Sequence, residues 1–207
     1  MTPILGRRAT LAGLAGLGLA AALPAAVPAQ NVPVVEELVL GAADAPVTVV
    51  EYASYTCPHC ATFHAQVFKP LKADYIDTGK VRFIFREVYF DRYGLWAAMV
   101  ARCGGLDRYF GLSGLLFERQ REWATAADAT GVVAQLKTIG KVAGLDDATL
   151  DACLKDGARA EALVADFQAR TTADGIDSTP TLIVNGTKYS NMGYEDLKKI
   201  LDQALAG

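Results

Sequence analysis

The residues of this chain best suited to chemistry are two cysteines separated by two residues, Cys57 and Cys60. Cys57 stands where a stretch typical of a β-strand passes into a pattern typical of a helix. Unpaired backbone N–H groups and the positive end of the helix dipole favour a thiolate there, and thiolates are the nucleophiles of disulfide exchange. Cys60 follows one turn later, near the Cα separation that a disulfide tolerates. The pair is therefore predicted to be a redox-active dithiol.

Pro58 and His59, which lie between the cysteines, suit the same chemistry. Pro58 fits a first helical turn, where its missing N–H would be unpaired in any case. His59 can supply a hydrogen-bond donor or a positive charge beside the Cys57 sulfur. Two alternatives stay open: an inert structural disulfide, and a zinc site that includes His64. The zinc site would need a fourth ligand, which no second C-x2-C motif provides, so no metal is predicted, and His64 is expected at the helix surface.

The elements that position the cysteine pair follow from the residue patterns. A strand rich in β-branched and aromatic residues is predicted at 47–55. The helix that opens at Thr56–Cys57 runs through Phe63, Val67, Phe68 and Leu71, which line one face, with a kink at Pro70. Asn185-Gly186 predicts a hairpin turn. The other predicted elements are strands at 34–40, 81–90 and 181–185, and helices at 95–103, 106–123, 130–143, 147–154, 159–170 and 194–205.

This order of elements resembles the DsbA-like branch of the thioredoxin superfamily, from about residue 34 to the C-terminus. The likeness is specific at the strand–CPHC–helix unit and at a distal Thr179-Pro180, and only architectural in the helical block between them. It implies an α/β thioredoxin fold, with a central mixed sheet flanked by helices and an inserted all-helical subdomain. The thioredoxin-like domain would comprise 30–92 and 172–207, and the inserted subdomain 93–171.

The resemblance also implies roles for residues outside the tetrapeptide. Thr179-Pro180 matches the family's cis-proline loop, which lies against the active-site cysteines and whose exposed backbone can pair with an extended substrate segment. Glu51 matches the buried acid beneath the active site, where a raised pKa would let it move the proton of Cys60. The alternatives are an ordinary trans Pro180 and a Glu51 that faces solvent.

Cys103 and Cys153 have no cysteine partner two residues away, so no catalytic role is predicted for them. In a compact helical subdomain they can meet and close a loop of about 50 residues. Some DsbA-like proteins carry a second bridge in this block, which favours a structural disulfide. Two separate buried thiols are the alternative.

The first thirty residues have the pattern of a secretory signal peptide. Arg7 and Arg8 precede an uncharged run at 11–23, and Val27-Pro28-Ala29 resembles a cleavage site, so residues 1–29 are predicted to be removed on export to the periplasm. Twin-arginine export and a retained anchor are alternatives, although the run is shorter than the roughly 20 residues that span a bilayer. The net charge of −3, without basic runs, argues against nucleic acid as a partner.

Together these features predict a thiol–disulfide oxidoreductase. It would donate the Cys57–Cys60 disulfide to reduced cysteines of unfolded exported proteins, through a mixed disulfide on Cys57. The resemblance implies reoxidation by a membrane quinone-linked partner of the DsbB type. A monomer without any further cofactor is expected. An isomerase or reductase of the same fold, a metal-binding chaperone and a peptide-binding holdase are the alternatives.

Overall fold

The centre of the fold is a five-stranded mixed sheet with the strand order β1-β3-β2-β4-β5, and the predicted site follows the strand β2. The computed structural model describes residue 2 and residues 33–207. β2 runs parallel to β3, whereas each other neighbouring pair is antiparallel. The strands are Leu38–Leu40 (β1), Val47–Ala53 (β2), Val81–Glu87 (β3), Thr181–Val184 (β4) and Thr187–Ser190 (β5).

β2 is the central strand, and side chains on both of its faces are buried. Its β-branched and aromatic residues suit that environment, since a strand covered on both sides needs a nearly continuous apolar run. Glu51 is the one charged residue in β2, and it stands in register between Phe85 of β3 and Leu182 of β4. The strand thus brings a carboxyl group into the core a few residues before the cysteine pair.

The helix that follows β2 runs through the predicted face to Leu71 and continues to Ile76. It alternates between two hydrogen-bond patterns: α1 (Pro58–Phe63), a π-helical segment (His64–Phe68), α2 (Lys69–Leu71) and a second π-helical segment (Lys72–Ile76). Pro70 lies in the first turn of α2. The wider π-helical turns on either side accommodate its missing N–H without ending the helix.

The stretch from β3 to β4, which the structure describes throughout, contains six helices. Aspartates cap four of them by accepting hydrogen bonds from backbone N–H groups. The predicted helix at 106–123 is two helices, because the backbone departs from helical geometry at Arg119 (φ −101°, ψ 15°). The helices are Arg92–Cys103 (α3), Leu106–Glu118 (α4), Gln120–Ala124 (α5), Ala129–Val142 (α6), Asp147–Lys155 (α7) and Gly157–Ala173 (α8).

Two covalent and local features complete the fold. A disulfide between Cys103 and Cys153 joins α3 to α7. Asn185 and Gly186 turn β4 into β5 with positive φ angles of 45° and 83°, the geometry for which Asn-Gly is favoured. The chain then ends in a final helix, Tyr194–Ala206 (α9).

The hydrophobic core is shared by the sheet and the helices around it. The ring of Tyr55, just after β2, lies 4.9 Å from that of Phe117 in α4 and 6.0 Å from that of Phe85 in β3, measured between centroids. Aromatic packing of this kind contributes both buried area and a preferred geometry. The segment that leads into the cysteine pair is therefore fixed between the sheet and the helical stretch.

Over residue 2 and residues 33–207, no helix has the length and apolar character needed to cross a membrane. The predicted signal peptide at 1–29, with its alternatives, lies outside the described residues apart from Thr2.

Candidate active site

Cys57 occupies the N-cap position of α1, with an extended backbone (φ −83°, ψ 118°) and Pro58 in the first turn. Its N–H donates to the carbonyl oxygen of Ser54 at 3.1 Å, and its own carbonyl accepts the N–H of Cys60 at 3.1 Å. Both cysteines are free thiols; Cys57 is 9% exposed and Cys60 is fully buried. Pro58 and His59 are exposed. Cys57 is therefore the sulfur that an incoming thiol reaches first.

The surroundings of Cys57 favour its thiolate. Its pKa is lowered from 9.0 to about 5, chiefly because the thiol of Cys60 hydrogen-bonds to its sulfur. Burial opposes this effect, and the backbone N–H groups of Cys60 and His59 add to it. The backbone N–H of His59 is thus one hydrogen-bond donor to the sulfur.

Cys60 is held as a thiol for the complementary reason. Its hydrogen bond to Cys57 and its burial raise the pKa of Cys60 far above its ordinary range, and the charge of Glu51 adds to this effect once that carboxyl is ionised. The reduced pair therefore consists of one thiolate and one thiol at neutral pH. A hydrogen bond to an ionised acceptor is stronger than one between neutral groups, so this arrangement reinforces itself.

Glu51 is buried, with 3% of its surface exposed, which excludes the alternative that it faces solvent. Burial raises the pKa of its carboxyl from 4.5 to about 8, so that Glu51 is protonated at neutral pH. Its influence on the pKa of Cys60 shows that the carboxyl lies within electrostatic reach of that sulfur. The arrangement combines a proton donor with a sulfur that holds its proton tightly.

The peptide bond between Thr179 and Pro180 is cis. The carbonyl oxygen of Thr179 lies 3.5 Å from the Cys57 sulfur, where it can accept a hydrogen bond when Cys57 is protonated, so this loop lies directly against the catalytic sulfur. Pro180 is buried and leads into β4. The side-chain oxygen of Thr179 is also buried, without a hydrogen-bond partner among the described residues.

His64 is buried, contrary to the prediction of a surface position. It is 9% exposed, and its ring stacks with those of Phe68 and Phe117 at centroid distances of 5.0 and 5.1 Å. A π-helical segment begins at His64, and its wider turn shifts which residues face inward, which a period of 3.6 residues does not anticipate. Within the described part of the chain, no three His, Cys, Asp or Glu side chains are arranged to hold a metal ion.

The family model described as thioredoxin matches residues 34–203. The chain belongs to the thioredoxin family, in its DsbA-like branch. A Rickettsia bellii protein named protein-disulfide oxidoreductase is 32% identical over 170 residues, which are 82% of this chain and 64% of that relative. Disulfide bond formation protein D of Bacillus subtilis is 29% identical over 181 residues, covering 82% of this chain and 77% of that protein. The chain thus spans less than two thirds of the length of the Rickettsia relative.

Solved structures give the same assignment. The crystal structure of α-DsbA1 from Wolbachia pipientis superposes with a TM-score of 0.76 at 27% identity, covering 85% of this chain and 94% of that one. The crystal structure of oxidised BdbD from Bacillus subtilis superposes with a TM-score of 0.73 at 28% identity, covering 83% of this chain and 94% of that one. The mixed sheet flanked by helices, which the resemblance implied, is therefore confirmed for this DsbA-like chain.

Gln120 also holds the active-site turn of this DsbA-like chain, and the sequence prediction missed it. The side chain is buried in α5, and its Nε2 donates to the carbonyl oxygens of Tyr55 at 2.8 Å and Cys57 at 2.9 Å. A residue of the helical stretch therefore fixes the backbone on which Cys57 sits. No local pattern marks Gln120, because its partners lie 65 and 63 residues earlier in the chain.

A buried polar cluster at the end of β3 was also missed. The carboxylate of Glu87 accepts hydrogen bonds from Tyr89 at 2.7 Å, Tyr109 at 2.7 Å and Arg102 at 2.8 Å. The hydroxyl of Tyr109 also lies 2.6 Å from that of Tyr55. The cluster ties β3 to α3 and α4 close to the cysteine pair. The acidic residue at the end of β3 was the available signal, but its partners could not be read from the sequence.

Replacing Cys60 with alanine should raise the pKa of Cys57 in the reduced protein from about 5 toward its ordinary range, because the largest source of thiolate stabilisation is lost. The ultraviolet absorbance of the thiolate during an acid titration measures this pKa. Cys60→Ser keeps a hydroxyl donor and is the matched control, which should stay near the parent value. An unchanged midpoint in the alanine variant would mean that the helix start alone sets the pKa.

The burial of Glu51 predicts a pH-dependent stability. Its folded-state pKa of about 8 exceeds the ordinary 4.5, so its contribution to stability is fully present below pH 4.5 and is lost as the pH rises through 8. Glu51→Gln should remove this pH dependence. Above pH 8, its free energy of unfolding should therefore rise relative to that of the parent by on the order of 5 kcal/mol. Urea unfolding of the oxidised protein, in which neither active-site thiol titrates, measures it. The exposed Glu161→Gln is the control, and parallel pH profiles for Glu51→Gln and the parent would refute the effect.

Gln120→Ala should destabilise the protein by about 1–3 kcal/mol, because the buried carbonyl of Tyr55 loses its side-chain donor, whereas that of Cys57 keeps the N–H groups of the helix start. The exposed neighbour Arg121 provides the control, and Arg121→Ala should stay within about 0.5 kcal/mol of the parent. Urea unfolding gives both values. Equal stabilities of the two variants would rule out a supporting role for Gln120.

Proposed function

We propose that this chain is a periplasmic thiol–disulfide oxidase, which donates the Cys57–Cys60 disulfide to reduced cysteines of exported proteins. The observation that carries the proposal is the opposite shift of two neighbouring pKa values, to about 5 for Cys57 and far above the ordinary range for Cys60. A disulfide whose reduced form is stabilised in this way accepts electrons readily from ordinary cysteines. The names of the relatives, protein-disulfide oxidoreductase and disulfide bond formation protein, support the same activity.

The first step is attack by a substrate thiolate on the sulfur of Cys57. The Cys57–Cys60 bond breaks, a mixed disulfide forms between the substrate and Cys57, and Cys60 leaves with the electron pair. Cys57 is bonded to the substrate at this stage, but burial still raises the pKa of Cys60, so its sulfur takes up a proton. The protonated carboxyl of Glu51 supplies that proton.

In the second step, another substrate thiolate attacks the substrate sulfur of the mixed disulfide. A substrate disulfide forms, the bond to Cys57 breaks, and Cys57 leaves as a thiolate that accepts a hydrogen bond from Cys60. Two electrons have then passed from the substrate dithiol to the enzyme pair. The stabilised leaving group favours this direction.

Substrate binding is proposed to rely on backbone contacts beside Cys57. The carbonyl of Thr179 lies 3.5 Å from the Cys57 sulfur, where an extended segment can pair with the loop as an added strand. The exposed Pro58 and His59 leave the approach to Cys57 open. Backbone pairing depends little on side-chain identity, which suits unfolded or reduced proteins as substrates, and no nucleic acid takes part.

Reoxidation requires an electron acceptor, and a membrane quinone-linked partner of the DsbB type is proposed from the family resemblance. The proposal also includes a signal peptide at 1–29 that is removed near Ala29, a monomeric mature protein, and a Cys103–Cys153 disulfide that serves structure alone. The redox-active disulfide is the reactive group, with no metal or other cofactor.

Oxidation of a reduced two-cysteine model peptide by the purified oxidised protein tests the proposal. One peptide disulfide should form for each enzyme disulfide consumed, and Cys57→Ser should abolish the reaction. The double variant Cys103→Ala/Cys153→Ala keeps the catalytic pair and should retain the activity. Full oxidation by Cys57→Ser would overturn the assignment.

An isomerase is the second candidate, because a threonine before the cis proline resembles isomerase-type members of the family. Insulin reduction and rescue of a scrambled substrate separate the two functions. Strong oxidation with weak rescue supports the oxidase. Efficient rescue with weak oxidation would transfer the assignment to the isomerase, and substrate protection that survives Cys57→Ser would indicate a holdase.

A further inference from the structure

The proposed reaction passes a proton through a buried carboxyl, and the following inference rests on that proposed function. Glu51 gives up a proton when Cys60 leaves the disulfide, and it receives one when the pair is reoxidised. Glu51 is 3% exposed, so direct exchange with bulk water is restricted. A route for protons between Glu51 and solvent is therefore needed in every cycle.

A small cavity of about 10 Å³ lies beside Glu51. That volume is enough for the centre of one water molecule, provided that polar groups are present to bind it. Glu51, His64 and Ser113 supply the polar groups of the lining, and the remaining lining residues are four phenylalanines, Phe68, Phe83, Phe85 and Phe110.

His64 is one of the residues that line this cavity. The same side chain lines two open grooves, of about 650 and 330 Å³, and it is the residue common to the cavity and both grooves. Stacking on Phe68 and Phe117 holds the ring in that position. An imidazole can accept a proton at one nitrogen and donate from the other, which the phenylalanines around it cannot do.

We propose that His64 relays protons between Glu51 and solvent. One ring nitrogen exchanges a proton with a water in the cavity, which in turn exchanges with the Glu51 carboxyl. The other nitrogen exchanges with water in the grooves. One proton moves inward when the disulfide is reduced and one moves outward when it is reformed, and the ring is neutral before and after each transfer.

The charges that face His64 are consistent with a neutral ring between transfers. Burial and the positive charge of Lys69 lower its pKa to about 4, against an opposite effect of Glu118. Lys69 and Glu118 form an ion pair of 2.6 Å at the rim of the grooves. On the inner side the titratable group is Glu51, which is itself protonated below about pH 8. β3 presents phenylalanines to the cavity.

Ser113 offers a second route out of the cavity, through hydroxyl groups. The Ser113 side chain acts on the pKa of Tyr55, whose hydroxyl lies 2.6 Å from that of Tyr109, and Tyr109 donates to Glu87 at 2.7 Å. This series of hydroxyl groups ends at the ion pair of Glu87 and Arg102, whose side chains are 2% and 11% exposed. The route through His64, by contrast, ends at an open groove.

Infrared spectroscopy of the Glu51 carboxyl after a rapid rise in pH tests the relay in the oxidised protein. The Glu51→Gln variant identifies the band, and the rate of its loss is the rate of deprotonation. This readout requires no thiol chemistry. The relay can therefore fail while peptide oxidation is intact, and the proposed function can fail while the relay is intact.

Two substitutions at His64 distinguish a relay from a packing role. His64→Phe preserves the stacked ring but carries no proton, so it should slow the deprotonation of Glu51 by roughly tenfold or more. His64→Ala opens the cavity lining to water and should deprotonate at least as fast as the parent, although it packs less well. A packing role predicts the reverse order, with the phenylalanine variant normal and the alanine variant impaired.

Phe110→Leu alters the same cavity wall without a proton-carrying group, and it should match the parent rate. Parent-like deprotonation in His64→Phe would overturn the relay. Slow deprotonation of Glu51 in Ser113→Ala, together with a parent-like rate in His64→Phe, would overturn it as well. That result would assign the proton transfer to the route through Ser113 and the tyrosine hydroxyls. If His64→Ala does not fold, the comparison of His64→Phe with Phe110→Leu still decides the outcome.

Discussion

The active site depends on the hydrogen bond that the Cys60 thiol donates to the Cys57 sulfur. It is the largest single cause of the lowered pKa of Cys57, and it is also the largest cause of the raised pKa of Cys60. One interaction therefore produces both a good leaving group and a sulfur that retains its proton. The helix start contributes backbone N–H groups to the same thiolate, but it cannot by itself create this asymmetry between two cysteines one turn apart.

The rest of the structure keeps that hydrogen bond in place. β2 holds a buried acid within electrostatic reach of Cys60, the carbonyl of Thr179 lies against Cys57, and Gln120 fixes the backbone on which Cys57 sits. The buried Glu87 cluster joins the sheet to the helices that carry Gln120 and the neighbouring aromatic rings. The helical stretch between β3 and β4 is thus part of the catalytic geometry, because it supplies contacts that the sheet alone does not provide.

Features that depend on local physics could be predicted from the sequence. The strand-to-helix junction at Cys57, the apolar central strand and the Asn185-Gly186 turn all follow from neighbouring residues. The burial of Glu51 was left open, because alternation along a strand does not tell which face is covered. Gln120 was missed because its partners lie more than 60 residues away. His64 was misplaced because a π-helical segment changes the helical period.

The pH dependence of the stability difference between the reduced and oxidised forms tests the central claim most directly. The Cys103→Ala/Cys153→Ala background leaves Cys57 and Cys60 as the pair that changes redox state. A folded-state pKa of about 5 against 9.0 in the unfolded chain means that the stabilisation from the thiolate is fully present above pH 9 and is lost as the pH falls through 5. As the pH rises from 5 to 9, the free energy of unfolding of the reduced form should therefore increase relative to that of the oxidised form. A difference that does not change with pH across this range would contradict the account.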